Sequence, residues 1–175
     1  MAKTKKIKAI FTGETVYSNT KEAVNLYGTA RLGEMVEGRI QYSLQEAMLL
    51  LEEKKMDIYE KSKKLPEKKF QEKCKTIDKK FSTKYSVFRD LRKRGYIVKT
   101  ALKFGADFRV YEKGKHPGEE HARWILYPVK ETDMLTWQDF SAKNRVAHST
   151  KKRLLIAIVD EEGDITYYEV AWTRP

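Results

Sequence analysis

The sequence predicts a mixed α+β protein in two parts. A small N-terminal α/β domain spans residues 1–82, and a C-terminal domain, residues 83–175, packs helices on a mixed sheet. Three observations predict this. The 175 residues suit one large domain or two small ones, and at 41% hydrophobic and 35% charged each half can bury a modest core. Phe70, Cys74, Ile77 and Phe81 recur at helical spacing up to Ser82-Thr83, where a new helical pattern starts. Beyond it strand patterns dominate, including an apolar run over 154–159 typical of a strand buried on both faces.

In the first half, residues 7–11 and 15–17 read as a short hairpin turning near Gly13-Glu14. Residues 22–26 read as a short helical turn. Gly28, Gly33 and Gly38 punctuate a loop or irregular hairpin, and their series lacks the Lys-Ser/Thr ending of a phosphate loop. Ser43 starts a helix with Glu46 three residues on, a capping box. Leu44, Ala47, Met48 and Leu51 then share one face. Residues 56–59 read as a strand. Pro66 suits the first position of the next helix, whose Phe70, Cys74, Ile77 and Phe81 form a buried stripe under a solvated Lys/Glu surface.

In the second half, Tyr85, Phe88 and Leu91 share a helical face, while Arg89, Arg92, Lys93 and Arg94 crowd the rest and the end. Gly95 suits the position just past that helix, and the cations match its dipole. Strands follow at 96–100, 106–112 and 122–129. Strict alternation within 106–112 sends Phe108 and Val110 one way and Asp107, Arg109 and Tyr111 the other. Residues 113–119 form a loop. A helix or turn region covers 135–146, with Thr136 as its cap. Residues 154–159 and 165–173 are the last strands, joined by the acidic turn Asp160-Glu161-Glu162-Gly163-Asp164.

The net charge of +11 favours a polyanionic partner, nucleic acid above all, over a merely Lys/Glu-rich surface. Cys74 is the single cysteine, so no intrachain disulfide forms, a reducing compartment fits, and the helical pattern gives it a core role. No signal peptide or membrane-spanning run is visible, which predicts a cytoplasmic protein with no membrane partner.

Histidine is scarce: His116, His121 and His148. Their spacing suits neither a zinc site nor a Cys–His pair, and no serine sits in a nucleophile elbow, so neither metal nor cofactor is expected. The remaining option is phosphoryl chemistry on RNA, whose 2′-hydroxyl is a built-in nucleophile. That reaction needs a base, an acid for the leaving 5′ oxygen, and a cation at the crowded phosphorane. Tyr111, His121 and Lys152 can fill these roles, although each also reads as an ordinary strand-end tyrosine, solvent histidine or surface lysine. A phenol ionises near pH 10 (about one molecule in a thousand at pH 7), so Tyr111 needs a neighbouring cation to act as base. Imidazole is the natural acid near neutrality. Arg145 and Trp172 are candidates for stacking unpaired bases, Trp172 having core packing as its alternative.

These residues sit in blocks with a family likeness. Tyr85-Ser86-Val87-Phe88-Arg89-Asp90-Leu91-Arg92-Lys93-Arg94-Gly95-Tyr96-Ile97-Val98-Lys99-Thr100, Lys103-Phe104-Gly105-Ala106-Asp107-Phe108-Arg109-Val110-Tyr111, Glu120-His121 and Arg145-Val146-Ala147-His148-Ser149-Thr150-Lys151-Lys152-Arg153-Leu154-Leu155 resemble, in order and spacing, the catalytic domain of archaeal tRNA-intron endonucleases. Tyr167-Tyr168-Glu169-Val170 extends the likeness, and residues 1–82 resemble the family's smaller domain more loosely.

The resemblance implies a nuclease-like fold for residues 83–175. It implies cutting of precursor tRNA at a bulge–helix–bulge, with no metal, to give 2′,3′-cyclic phosphate and 5′-hydroxyl ends. By motif, Tyr111 becomes the general base, His121 the general acid and Lys152, rather than Lys151, the cation at the phosphorane. Arg145 and Trp172 match residues that hold a bulged base at the partner subunit's site. Asp160, Glu161, Glu162 and Asp164 match a loop that docks into a neighbouring subunit, and the last strand matches a two-fold interface. A chain with both features resembles the homotetrameric type, a dimer of dimers. The alternatives are the catalytic subunit of a heterotetramer that needs a second chain, and a non-catalytic RNA-binding or structural subunit.

Overall fold

The computed structural model describes residues 5–101 and 105–173; Lys103 and Phe104 of the quoted block lie outside the described residues. The chain is mixed α+β throughout and divides into two compact units, residues 1–81 and 82–175.

The first unit is a six-stranded sheet with three helices. Its strands are β1 (Ile7–Phe11), β2 (Val16–Ser18), β3 (Glu34–Val36), β4 (Arg39–Tyr42), β5 (Met56–Glu60) and β6 (Lys63–Lys64), in the order β3-β4-β2-β1-β5-β6. Only β1 and β5 run parallel. Alternation along β1 buries Ile7, Ala9 and Phe11, and Phe11 meets Phe70 edge-to-face at 5.5 Å. Phe70 belongs to α3 (Glu67–Ile77), as does Cys74, whose thiol burial pushes up to about 12. Its place is therefore in the core, as an un-ionised thiol.

Four local expectations are corrected. Helix α1 spans Lys21–Ala30 with Thr20 as its cap and runs straight through Gly28, since one interior glycine costs only about 1 kcal/mol. Pro66 sits at the N-cap of α3, one residue before the helical backbone begins. Ile77 is the last residue of α3 and is largely exposed. The Asp78 carboxylate accepts the Lys80 amide at 2.9 Å and turns the chain, so the buried Phe81 starts a new helix. The sequence does not signal the β5–β6 hairpin, because its turn residues Lys61 and Ser62 adopt φ of 46° and 66° without the glycine or asparagine that usually marks such turns.

Glu46 holds the region around α2 (Leu44–Glu52) together. Besides completing the capping box with Ser43, its buried carboxylate accepts the Gly33 amide at 3.0 Å. Gly33 has φ +80°, and a Cβ there would come within 2.4 Å of Ile40 Cγ2, so no other residue lets the backbone approach Glu46 this way. Glu46→Ala strands those donors and is expected to cost about 1–3 kcal/mol. A urea midpoint equal to that of the unaltered protein would refute it.

The second unit is a five-stranded sheet of order β11-β10-β9-β8-β7. Its strands are β7 (Ile97–Thr100), β8 (Phe108–Tyr111), β9 (Trp124–Lys130), β10 (Arg153–Val159) and β11 (Ile165–Val170). β9 and β10 are parallel and the other neighbours antiparallel. A parallel pair needs a crossover, and α5 (Trp137–Ser149) supplies it. Thr136 caps α5 in a full capping box with Asp139. Helix α4 (Phe81–Lys93) packs Phe88 against Phe108 on one face of the sheet. On the other face Ala147 of α5 joins Ala101, Ala106, Ile125, Tyr127 and Leu154 in one cluster. The final strand ends at Val170, which pairs with Leu154 near the start of β10, short of the expected 173. Among the described residues no helix is long and apolar enough to cross a membrane.

Candidate active site

Sheet register gathers the candidate residues. Val110 faces Trp124, and Trp124 faces Arg153. Tyr111 follows Val110 and Lys152 precedes Arg153, so both stand at the same end of the sheet. They also share a face. Arg109 is level with Ile125, which packs under α5; Tyr111 is two residues on, and Lys152 is two residues before Leu154 of the same cluster. Tyr111 is buried. His121 is exposed, in the loop that returns from Tyr111 to β9 at that end, beside the Lys115–Glu120 ion pair.

The end of α5 decides which lysine turns inward. The Lys151 amide donates to the His148 carbonyl at 2.9 Å and the Lys152 amide to the Ala147 carbonyl at 2.8 Å, with Lys151 at φ 55°. This is a Schellman motif, a helix end normally given to glycine at the left-handed position. It leaves Lys151 exposed and feeds Lys152 straight into β10, half-buried, its Nζ donating to the Thr150 carbonyl at 2.9 Å. Burial and then the neighbouring Arg109 charge lower the Lys152 ammonium below the ordinary lysine range.

Arg145 and Trp172 line one groove with Phe140, Ser141, Asn144 and His148. A second recess joins Trp172, His148 and Asn144 to Lys152 and Arg153. Trp172 is half exposed and stands beyond β11, its ring 4.5 Å from that of His148. Asn144, for which the sequence gives no signal, and His148, weighed there only as a metal ligand or cysteine partner, share one helical surface with Arg145.

Asp160, Glu161, Glu162 and Asp164 form the β10–β11 turn. It is closed by the Asp160 amide on the Asp164 carbonyl and the Asp164 amide on the Asp160 carboxylate, while Glu131 accepts the Glu161 amide at 2.9 Å. The turn lies at the far end of β10 from Lys152, roughly 20 Å away for a seven-residue strand. Among the described residues, no group of three or more His, Cys, Asp or Glu side chains could hold a metal ion.

A phenol, an imidazole and a partly desolvated ammonium stand at one end of a sheet in a strongly basic chain, an arrangement suited to acid–base cleavage of RNA. The comparisons make this particular. Residues 81–167 match the family described as tRNA intron endonuclease, catalytic C-terminal domain. A tRNA-splicing endonuclease of Thermococcus gammatolerans is 41% identical over 93% of this chain and 95% of its own length. One from Pyrococcus horikoshii is 40% identical over 97% and 98%, and one from Nanoarchaeum equitans 45% over 75% and 88%. The chain belongs to the tRNA-splicing endonuclease family and is an endoribonuclease of tRNA splicing.

Proposed function

We propose that this enzyme cuts precursor tRNA at bulge–helix–bulge elements by metal-independent attack of the 2′-hydroxyl on the adjacent phosphate. Tyr111, as phenolate, takes the 2′-hydroxyl proton. The 2′ oxygen bonds to phosphorus, the bond to the 5′ oxygen breaks, and His121 gives that oxygen its proton. Lys152 neutralises the non-bridging oxygens as charge builds. The products are a 2′,3′-cyclic phosphate and a 5′-hydroxyl. The observation that carries this reading is the placement of Tyr111 and Lys152 on one face at one end of the sheet, with His121 in the loop there. Residues 83–175 carry the chemistry, and residues 1–82 form the smaller domain.

The test is the purified protein alone, with EDTA, on a 5′-labelled bulge–helix–bulge precursor. Two cuts with cyclic-phosphate ends are expected. A need for added metal, or 3′-hydroxyl ends, would overturn the mechanism.

Arg145 and Trp172 hold a bulged base between them, and the working form is a homotetramer. Its support is the acidic turn: at the far end of β10 it serves no part of its own site, and its charge suits a basic pocket on another copy. Neutralising Asp160, Glu161, Glu162 and Asp164 together (Asp→Asn, Glu→Gln) should leave dimers. An unchanged mass by light scattering would rule the docking role out.

A further inference from the structure

The groove beside Trp172 holds more polar chemistry than stacking alone uses. Ser141, Asn144, Arg145 and His148 fall at intervals of three and four residues, so they form one stripe along α5. Among the described residues no hydrogen bond engages the side chains of Ser141, Asn144 or Arg145. Such a stripe usually faces open water. Here an aromatic wall stands beside it: the Trp172 ring, with His148 against it at 61° and 4.5 Å. The groove encloses about 530 Å³, room for a purine and within the usual size of ligand sites.

We propose that Asn144 reads the edge of the base seated against Trp172, and that its match is adenine. A carboxamide offers a donor beside an acceptor, which pairs with adenine N7 and N6 amino at once. Asn144 is half-buried and borders both this groove and the recess with Lys152, so it stands at the groove wall. Neither the charge of Arg145 nor the ring of Trp172 tells one base from another by stacking, since every base has a π face. His148 acts through Trp172, as a prop that keeps the indole at the groove. The proposal rests on the RNA-cleaving reading above.

The experiment measures fluorescence anisotropy of a bulged RNA made uncleavable by a 2′-deoxy nucleotide at each cut. The bulge base is varied among adenine, guanine, cytosine, uracil and 7-deazaadenine, which lacks N7. The expected result is tightest binding with adenine, by roughly 5–150-fold over uracil, the range for one bidentate amide contact. 7-Deazaadenine should lose most of that advantage, and Asn144→Ala should flatten the series. Because the Asn144 side chain makes no hydrogen bond among the described residues, the variant should melt with the unaltered protein. Equal affinity for all bases, preference for another base, or a preference surviving in Asn144→Ala would overturn the proposal. The same RNAs with the 2′-hydroxyl restored are tested for cutting in parallel. Base preference without cutting would sink the splicing mechanism and leave the role of Asn144 standing.

Discussion

Replacing Lys152 with alanine is expected to slow cleavage of a bulged precursor by roughly 10²–10³-fold, the effect of removing about 3–4 kcal/mol of charge stabilisation. In the proposed mechanism the ammonium meets the developing charge from a partly desolvated position. It is half-buried, level with Tyr111, and on the same face of the sheet. Its desolvated setting has a second consequence. Burial and the Arg109 charge both favour the neutral amine, so the folded protein loses this cation at lower pH than an ordinary lysine would. Cleavage that needs the ammonium therefore falls on the alkaline side as pH rises through that lowered value. Lys152→Arg keeps its charge across that range, so it should recover part of the rate and lack the alkaline fall. Single-turnover rates against pH for the three proteins check both points. A full effect at Lys151 with Lys152 silent would mean that the exposed lysine is the working one.

Truncating His121 to alanine should cost roughly 10²–10⁴-fold in the chemical step, the ordinary worth of a general acid. The side chain is exposed, so its loss removes no packing, and both the melting temperature and RNA affinity should hold. The decisive control changes the substrate. A sulfur in place of the bridging 5′ oxygen leaves without a proton, so it should bring the variant back near the unaltered enzyme. A variant that stays slow on the sulfur substrate, or one that loses RNA binding, would take the acid role away from His121 and make it a recognition residue.

Much of this could be read along the chain. The Ser43–Glu46 capping box, the β1 alternation, the Phe70–Cys74 stripe and the alternation around Tyr111 are local patterns, set by backbone hydrogen bonding and side-chain period. Local rules failed where something less common stood in a familiar place. Gly28 lies inside a helix, Lys61-Ser62 turns a hairpin without glycine, and Lys151 occupies a left-handed helix end. The partnership of His148 with Trp172 is not legible in the sequence, because the two residues are far apart along the chain and meet only through the packing of α5 and the chain beyond β11.

Composition, short-range period and ordered motifs carry the class of fold and the family, and they name the candidate chemical groups. Tertiary structure alone decided their neighbours. Register across β8, β9 and β10 brings Tyr111 level with Lys152 although the two are far apart along the chain. The α5 end turns Lys152 inward and Lys151 outward, and the Arg109 charge reaches Lys152 across the same face. Distance and burial set how strongly charges act on one another, and neither is a property of a residue's place in the chain.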